Sequence, residues 1–289
     1  MNCRTLLQIS RPGLWLVFVW LYLWPTGGQV ELLSTFSFWL GLLYCMFPLN
    51  LLVYGMNDLV DKDVDKNNPR KGNFIYGAKA SVSELRELPI YILVCTVTPL
   101  LVLICMSPDK VYSYIGWLAL SFGANFVYNN KPFQFSRKCP WEIPTMILGH
   151  FLIPILSCHI NNLPLPPASS WIYHSFLLSR SHIWLEFADI AVDKKEKKRT
   201  VAVVLGKENA FLVVVLLTVL ESLSAFLLLE SYVLGTFALF GIFVFWNAKE
   251  GKVKQEKMLV SISQSIVGGL LMMYVWSNGV FSSNWVSII

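Results

Sequence analysis

Nine runs of apolar residues, each about long enough to cross a bilayer core of roughly 30 Å at 1.5 Å per residue, dominate this chain. They fall near 13–29, 36–56, 88–107, 111–129, 142–159, 171–189, 210–229, 231–247 and 259–280. Inside hydrocarbon every backbone N–H and C=O must be satisfied by the protein itself, so the runs read as helices. Composition agrees. Of 289 residues 55% are hydrophobic and 14% charged, against roughly 25% charged in ordinary soluble domains, which excludes a soluble enzyme. The expectation is an all-α integral membrane protein of nine transmembrane helices. Arg4 and Arg11 before the first run look like a signal peptide's start, but no small-residue cleavage site follows, so that run reads as a span. The six cysteines form no CxxC and mostly sit in apolar runs, as small buried hydrophobes do.

The loops alternate in character. The N-terminus with 57–87, 130–141, 190–209 and 248–258 carries 21 of the 23 Lys and Arg, and the opposite set holds only Lys110. By the positive-inside rule the charged loops face the cytosol, or the matrix or stroma of an organelle. Asp109 and Lys110 read as a solvated pair in a short turn, and Glu230 as the mark of another turn.

Two of the charged loops open on carboxylates. NDLVDKDVD supplies Asn57, Asp58, Asp61, Asp63 and Asp65. If the second span's helix continues, Asp58, Asp61 and Asp65 lie at i, i+3 and i+7 on one face, with Asn57 beside them and Asp63 pointing elsewhere. EFADIAVD repeats the spacing with Glu186, Asp189 and Asp193 at the end of the sixth span. Carboxylates so crowded repel unless something offsets their charge. Oxygen donors without histidine or thiolate favour Mg2+, which takes a few carboxylates together with water and substrate phosphate.

Basic residues follow both clusters. Arg70, Lys138 and Arg199, with Lys131 behind them and Tyr128 alongside, are the candidate ligands of a diphosphate bridged by Mg2+. KKEKKR at 194–199 also suits contact with anionic membrane lipid. No P-loop or GxGxxG appears, so a nucleotide is not expected, and nothing points to nucleic acid or an obligate protein partner. A metal–diphosphate site at the mouth of an apolar bundle implies a polyprenyl diphosphate substrate. Mg2+ and basic side chains stabilise charge on the leaving group, and burial protects the allylic cation that remains. The ring faces of Tyr54, Tyr128 and Trp184 can stabilise that cation. Asn50, Tyr54, Asn125, His150, Arg180, His182, Trp184 and Glu186 are the candidates to line the cavity, since polar groups within spans are functional suspects. Arg180 needs a partner, with Glu186 or a substrate oxygen in view; Glu221 has no assigned role.

These motifs resemble the UbiA superfamily of intramembrane prenyltransferases. NDLVDKDVD matches NDxxDxxxD on Asn57, Asp58, Asp61 and Asp65, and DIAVD matches DxxxD on Asp189 and Asp193. KRTVAVVLG at 198–206, YNNKPFQFSRK at 128–138 and SRPGLW at 10–15 look like further family segments, in order along the chain. NDLVDKDVDKNNPRK and ISRPGLWL look most like the branch of lycopene elongases and related carotenoid prenyltransferases. The resemblance implies one domain over 1–289: a nine-helix bundle around a central cavity, capped by loops 57–87, 130–141 and 190–209. It also implies that the aspartates bind Mg2+ and the diphosphate. Lys197 departs from the family, which often has glycine about four residues after the second motif.

Two activities fit. A transferase passes the prenyl group to a lipophilic acceptor; a terpene cyclase of the same family folds the chain onto its own cation. An ion-coupled transporter fits less well, because paired carboxylates in transporters lie near the midplane rather than at one surface.

Overall fold

The computed structural model describes residues 1–62, 71–249 and 258–282, with side chains of the last stretch from 266 onward. Among the described residues the architecture is all-helical, with no sheet beyond two isolated bridges. Eleven α-helices follow in order: α1 (Cys3–Ile9), α2 (Trp15–Leu23), α3 (Phe36–Met46), α4 (Pro48–Val60), α5 (Val82–Met106), α6 (Val111–Asn129), α7 (Glu142–Asn161), α8 (Ala168–Lys195), α9 (Val201–Leu228), α10 (Tyr232–Lys249) and α11 (Met258–Ser277).

Among the described residues six helical segments are long and apolar enough to cross a membrane: Cys3–Thr26, Phe36–Val60, Val82–Met106, Glu142–Asn161, Val201–Leu228 and Tyr232–Lys249. This is a multi-pass membrane protein, but the expected count of nine is reduced by this measure. Helices α6 and α8 fall short, and α11 enters this count only through Ile266–Ser277. The first spends positions on asparagine, serine and glycine, and α8 carries Arg180, two histidines and the second motif's acids. The six segments turn apolar rows outward, as lipid-facing helices must: Leu93, Val94 and Leu101 of α5 and Leu212, Leu216 and Leu227 of α9 are all exposed.

The chain divides into two compact units, Met1–Ser136 with Leu148–Leu165, and Arg137–Ile147 with Pro166–Ile289. In the first, polar contacts lock helices whose apolar surfaces are interchangeable. Ser157 Oγ donates to Tyr22 O at 2.6 Å, Tyr22 Oη to Phe38 O at 2.9 Å, and Trp117 Nε1 to Leu152 O at 2.6 Å. The run read as one second span breaks between α3 and α4. Pro48 lacks the N–H that would continue the ladder, and Asn50 Nδ2 donates to Cys45 O and Met46 O across the break at 2.8 and 2.9 Å. Ser81 and Glu84 form a capping box that starts α5. Lys110 is not simply solvated: it donates to His159 O and Asn162 Oδ1 at 2.6 and 2.5 Å, tying the α5–α6 turn to the end of α7.

In the second unit, Ile183, Trp184, Val201, Phe211, Val214 and Phe245 form a core that joins α8, α9 and α10. Glu230 stands in the turn between α9 and α10 with φ 49°, where the sequence places it.

Candidate functional site

The first motif lies at the end of α4. Asp61 is the C-cap, with φ −91° and ψ 15°, so the described helix does not carry the i, i+3, i+7 face beyond it. Asp63, Asp65 and Arg70 lie outside the described residues. Asn57 donates to Asp61 Oδ2 at 3.4 Å and to Asn129 Oδ1 at 3.2 Å, which ties the motif to α6.

Asp58 is 4% exposed and holds two cations on one oxygen. Lys71 Nζ is 2.7 Å from Oδ1 and Arg11 Nη2 3.0 Å. A buried carboxylate needs such pairing, because desolvation alone would neutralise it. Arg11 also lays its guanidinium over the Tyr54 ring at 4.4 Å, so one face of Tyr54 serves a protein cation. The loop that brings Lys71 in closes through Gly72 N–H to Gly77 O at 2.7 Å, with Asn73 Oδ1 accepting from Ile75 and Tyr76 N–H. Gly77 has φ +95°, and a Cβ there would stand 3.3 Å from both Arg11 Nε and Lys71 Nζ. Glycine is thus required both by backbone and by space.

The second motif occupies the last turns of α8. Glu186 and Asp193 are buried and Asp189 half-buried on the expected common face. Here backbone groups meet the charge. Val201 N–H donates to Glu142 Oε1 at 2.6 Å and Ala202 N–H to Glu186 Oε2 at 3.2 Å, so two carboxylates cap the start of α9. Asp193 accepts from Thr200 Oγ1 at 3.5 Å and pairs with Lys198 at 3.6 Å. Burial pushes the Asp193 carboxyl above its ordinary range, against the pull of Lys198.

Helix α8 ends in a Schellman turn: Lys198 N–H donates to Asp193 O at 2.9 Å and Lys197 N–H to Lys194 O at 3.1 Å. Lys197 sits at the left-handed position, φ 58°. The place where the family often has glycine is one whose backbone favours glycine, and the turn closes with lysine. One turn into α9, Gly206 at φ 76° and ψ 169° breaks the helix in a region essentially restricted to glycine.

Of the candidate diphosphate ligands, Lys138 and Arg199 are bridge partners. Cys139 N–H donates to Arg199 O at 2.7 Å and Arg199 N–H to Arg137 O at 3.1 Å. The pairing places both exposed cations directly after the Lys198–Asp193 contact. Lys131 is exposed just past α6, and Tyr128 half-buried within it.

The expected cavity residues part ways. Asn50 is fully buried in the α3–α4 break, and Asn125 Nδ2 returns to Ser121 O of its own helix at 2.9 Å. His150 packs 5.7 Å from the Phe18 ring. Trp184 belongs to the core, stacked on Phe187 at 5.1 Å and 4.6 Å from Phe245. His182 Nε2 is 3.3 Å from Glu186 Oε1. Arg180 pairs with Glu221 rather than Glu186: Nε reaches Oε2 at 2.5 Å and Nη2 reaches Oε1 at 3.1 Å, with Tyr173 Oη 3.5 Å from Oε1. Sequence reasoning left Arg11, Lys71, Asn129, Glu142 and Glu221 without these roles. The SRPGLW and YNNKP segments pointed toward Arg11 and Asn129, whereas nothing local marked Glu142 or Glu221.

The chain is similar to several known proteins. Lycopene elongase/hydratase of Corynebacterium glutamicum is 28% identical over 263 residues, covering 87% of this chain and 88% of that protein. Lycopene elongase/hydratase of Haloarcula japonica is 26% identical over 212 residues, covering 71% of this chain and 68% of that protein. A UbiA homolog from Archaeoglobus fulgidus, solved bound to GPP and Mg2+, superposes with a TM-score of 0.66 at 18% identity, covering 96% of this chain and 100% of that one. At that identity the likeness establishes the fold. The sequence profile of the UbiA prenyltransferase family matches residues 13–278, and the chain belongs to that family.

Proposed function

We propose that this chain is a Mg2+-dependent intramembrane prenyltransferase that ionises a prenyl diphosphate and passes the prenyl group to a lipophilic acceptor. The observation that carries the reading is the Lys138–Arg199 bridge beside the carboxylate end of α8. Exposed cations adjoining helix-borne carboxylates are what a metal-bridged diphosphate requires. The donor set fits Mg2+. Asn57, Asp58, Asp61, Asp65, Asp189 and Asp193 offer oxygen alone. Among the described residues no three His, Cys, Asp or Glu side chains converge into a closed cage. Mg2+ needs no such group, since it keeps several waters and takes one or two carboxylates plus substrate phosphate. When bound, Mg2+ neutralises the diphosphate and stabilises it as a leaving group.

The chain's own residues do the rest. Arg70, Lys131, Lys138, Arg199 and Tyr128 hold phosphate oxygens, and Asp58 keeps Arg11 and Lys71 in place beside the first motif. The relatives named lycopene elongase/hydratase favour a carotenoid-type polyene as acceptor, with lycopene the first to try. Helices α6, α8 and α11 cross the membrane too, giving nine spans. The charged loops 57–87, 130–141 and 190–209 then cap a single catalytic domain on the cytosolic, matrix or stromal side.

The test is turnover in liposomes containing lycopene, with dimethylallyl diphosphate and Mg2+. Pyrophosphate release and a prenylated carotenoid, both lost on chelation, are expected. Release that survives chelation would overturn the metal's role. A cyclic hydrocarbon made from geranyl diphosphate alone would replace transfer by cyclisation.

A further inference from the structure

We propose that His182, beside Glu186, is the base that takes up the proton lost when the prenyl cation is consumed; this rests on the ionisation chemistry proposed above. His182 Nε2 lies 3.3 Å from Glu186 Oε1, four residues on along α8. The second oxygen of Glu186 accepts the Ala202 N–H at 3.2 Å, which fixes that end of the carboxylate. Glu186 is 7% exposed and the His182 side chain 19%, so the imidazole is sheltered yet reachable. Glu142, fully buried at the start of α7, interacts electrostatically with both. Its Oε2 has no hydrogen-bond partner. Glu186 faces Nε2 of the imidazole, which leaves Nδ1 for a substrate proton.

Position agrees with chemistry. His182, Glu186, Asp189 and Asp193 follow i, i+4, i+7 and i+11 on one face of α8. His182 is seven residues from Asp189 toward the apolar part of the helix, roughly 10 Å along its axis. A metal ion, a diphosphate and the first carbons of a prenyl chain, placed end to end from Asp189, are on the order of the same length. The other histidines each pack against an aromatic ring. His174 is fully buried, its Nδ1 donating to Ser170 O at 2.7 Å with the Phe281 ring 4.5 Å away. His159 packs edge-on to Tyr114 at 4.9 Å beside Lys110, and His150 faces Phe18. Among the described residues, His182 and Glu186 form the one histidine–carboxylate pair.

The step balances. Ionisation sends the C–O electron pair to the departing diphosphate. The acceptor's π pair forms the new C–C bond and leaves a cation one carbon away. The neighbouring C–H pair becomes the new double bond, and the proton passes to His182 Nδ1 while Nε2 faces the Glu186 carboxylate. With no acceptor, the allylic cation loses a proton in the same way to give a diene.

The test reads partitioning rather than rate. In liposomes with lycopene, dimethylallyl diphosphate and Mg2+, every product is sorted by mass into proton-loss products (alkenes) and water-capture products (alcohols). The wild-type protein is expected to give mainly alkenes. His182→Ala should lower the alkene-to-alcohol ratio at least about tenfold, short of the 10²–10⁴ ascribed to a full general base, and Glu186→Gln should lower it less. A merely structural role would change the total and leave the ratio alone. The ratio is taken over completed turnovers, so partial misfolding does not disturb it, and His182→Gln serves if the alanine variant does not fold. An unchanged ratio overturns the base assignment, as does a wild-type protein that makes only alcohols. A wild-type protein that releases no pyrophosphate overturns the functional reading and this one with it.

Discussion

The two aspartate motifs share one spacing and are held by different means. In the first, the charge of Asp58 is met by side chains drawn from elsewhere in the chain, Arg11 and Lys71, under a loop closed by Gly77. In the second, it is met by groups close by in the chain: the Ala202 N–H at the start of α9 takes Glu186, and Lys198 and Thr200, just past the Schellman turn, take Asp193. Side-chain ion pairs can exchange partners when another charge arrives. Helix ends cannot, because their dipoles are built into the fold. The first motif is therefore held the more adjustably of the two, and the Glu186 end of the second the more rigidly.

Removing a carboxylate from either motif tests whether both are needed. Asp61→Ala and Asp189→Ala should each lower Mg2+-dependent pyrophosphate release by on the order of a thousandfold, with helical circular dichroism unchanged. Full turnover in either variant would break the pairing of the motifs.

A smaller effect should fall on stability. Arg180→Met leaves Glu221 buried with its charge unmet and should cost about 3 kcal/mol in detergent unfolding, while Arg180→Met with Glu221→Met recovers most of it. Equal losses in the single and double variants would deny the pair its role. Lys138→Ala should weaken prenyl diphosphate binding about tenfold, the size of one charge-assisted hydrogen bond, with no change in melting temperature. Unchanged affinity would remove Lys138 from the ligand set.

The glycine positions sharpen the contrast further. Gly77→Ala should destabilise by about 1 kcal/mol, since its methyl group meets Arg11 and Lys71 at a left-handed φ. Lys197→Gly has the opposite sign and should stabilise by about 0.5–1 kcal/mol, because it relieves a left-handed lysine. Thermal unfolding measures both, and a destabilising Lys197→Gly would count against the strain.

What the sequence revealed divides along the same line. Apolar periodicity and charged loops made the helices legible, because burial in lipid acts on every residue of a span. DIAVD was legible since its carboxylates lie on one uninterrupted helix. NDLVDKDVD was less so: Asp61 ends α4, and the partners of Asp58 are 47 and 13 residues away. The break at Phe47 was hidden in an apolar run, with Pro48 its one local sign. Trp184 could not be told from a cavity wall, as a core and a cavity both call for a large ring. Arg180 announced a need without naming its partner, because Glu221 comes from the next helix.

That last pair bears on how the protein is made. With α8 read as a span, as proposed above, its lone arginine near the middle would cost about 2.5–3.5 kcal/mol at the translocon, so α8 leaving the ribosome first is a poor candidate for release into lipid. Its counter-charge arrives 41 residues later, on α9. On that reading the two helices are expected to enter the bilayer as a hairpin, α8 waiting until its successor has been synthesised.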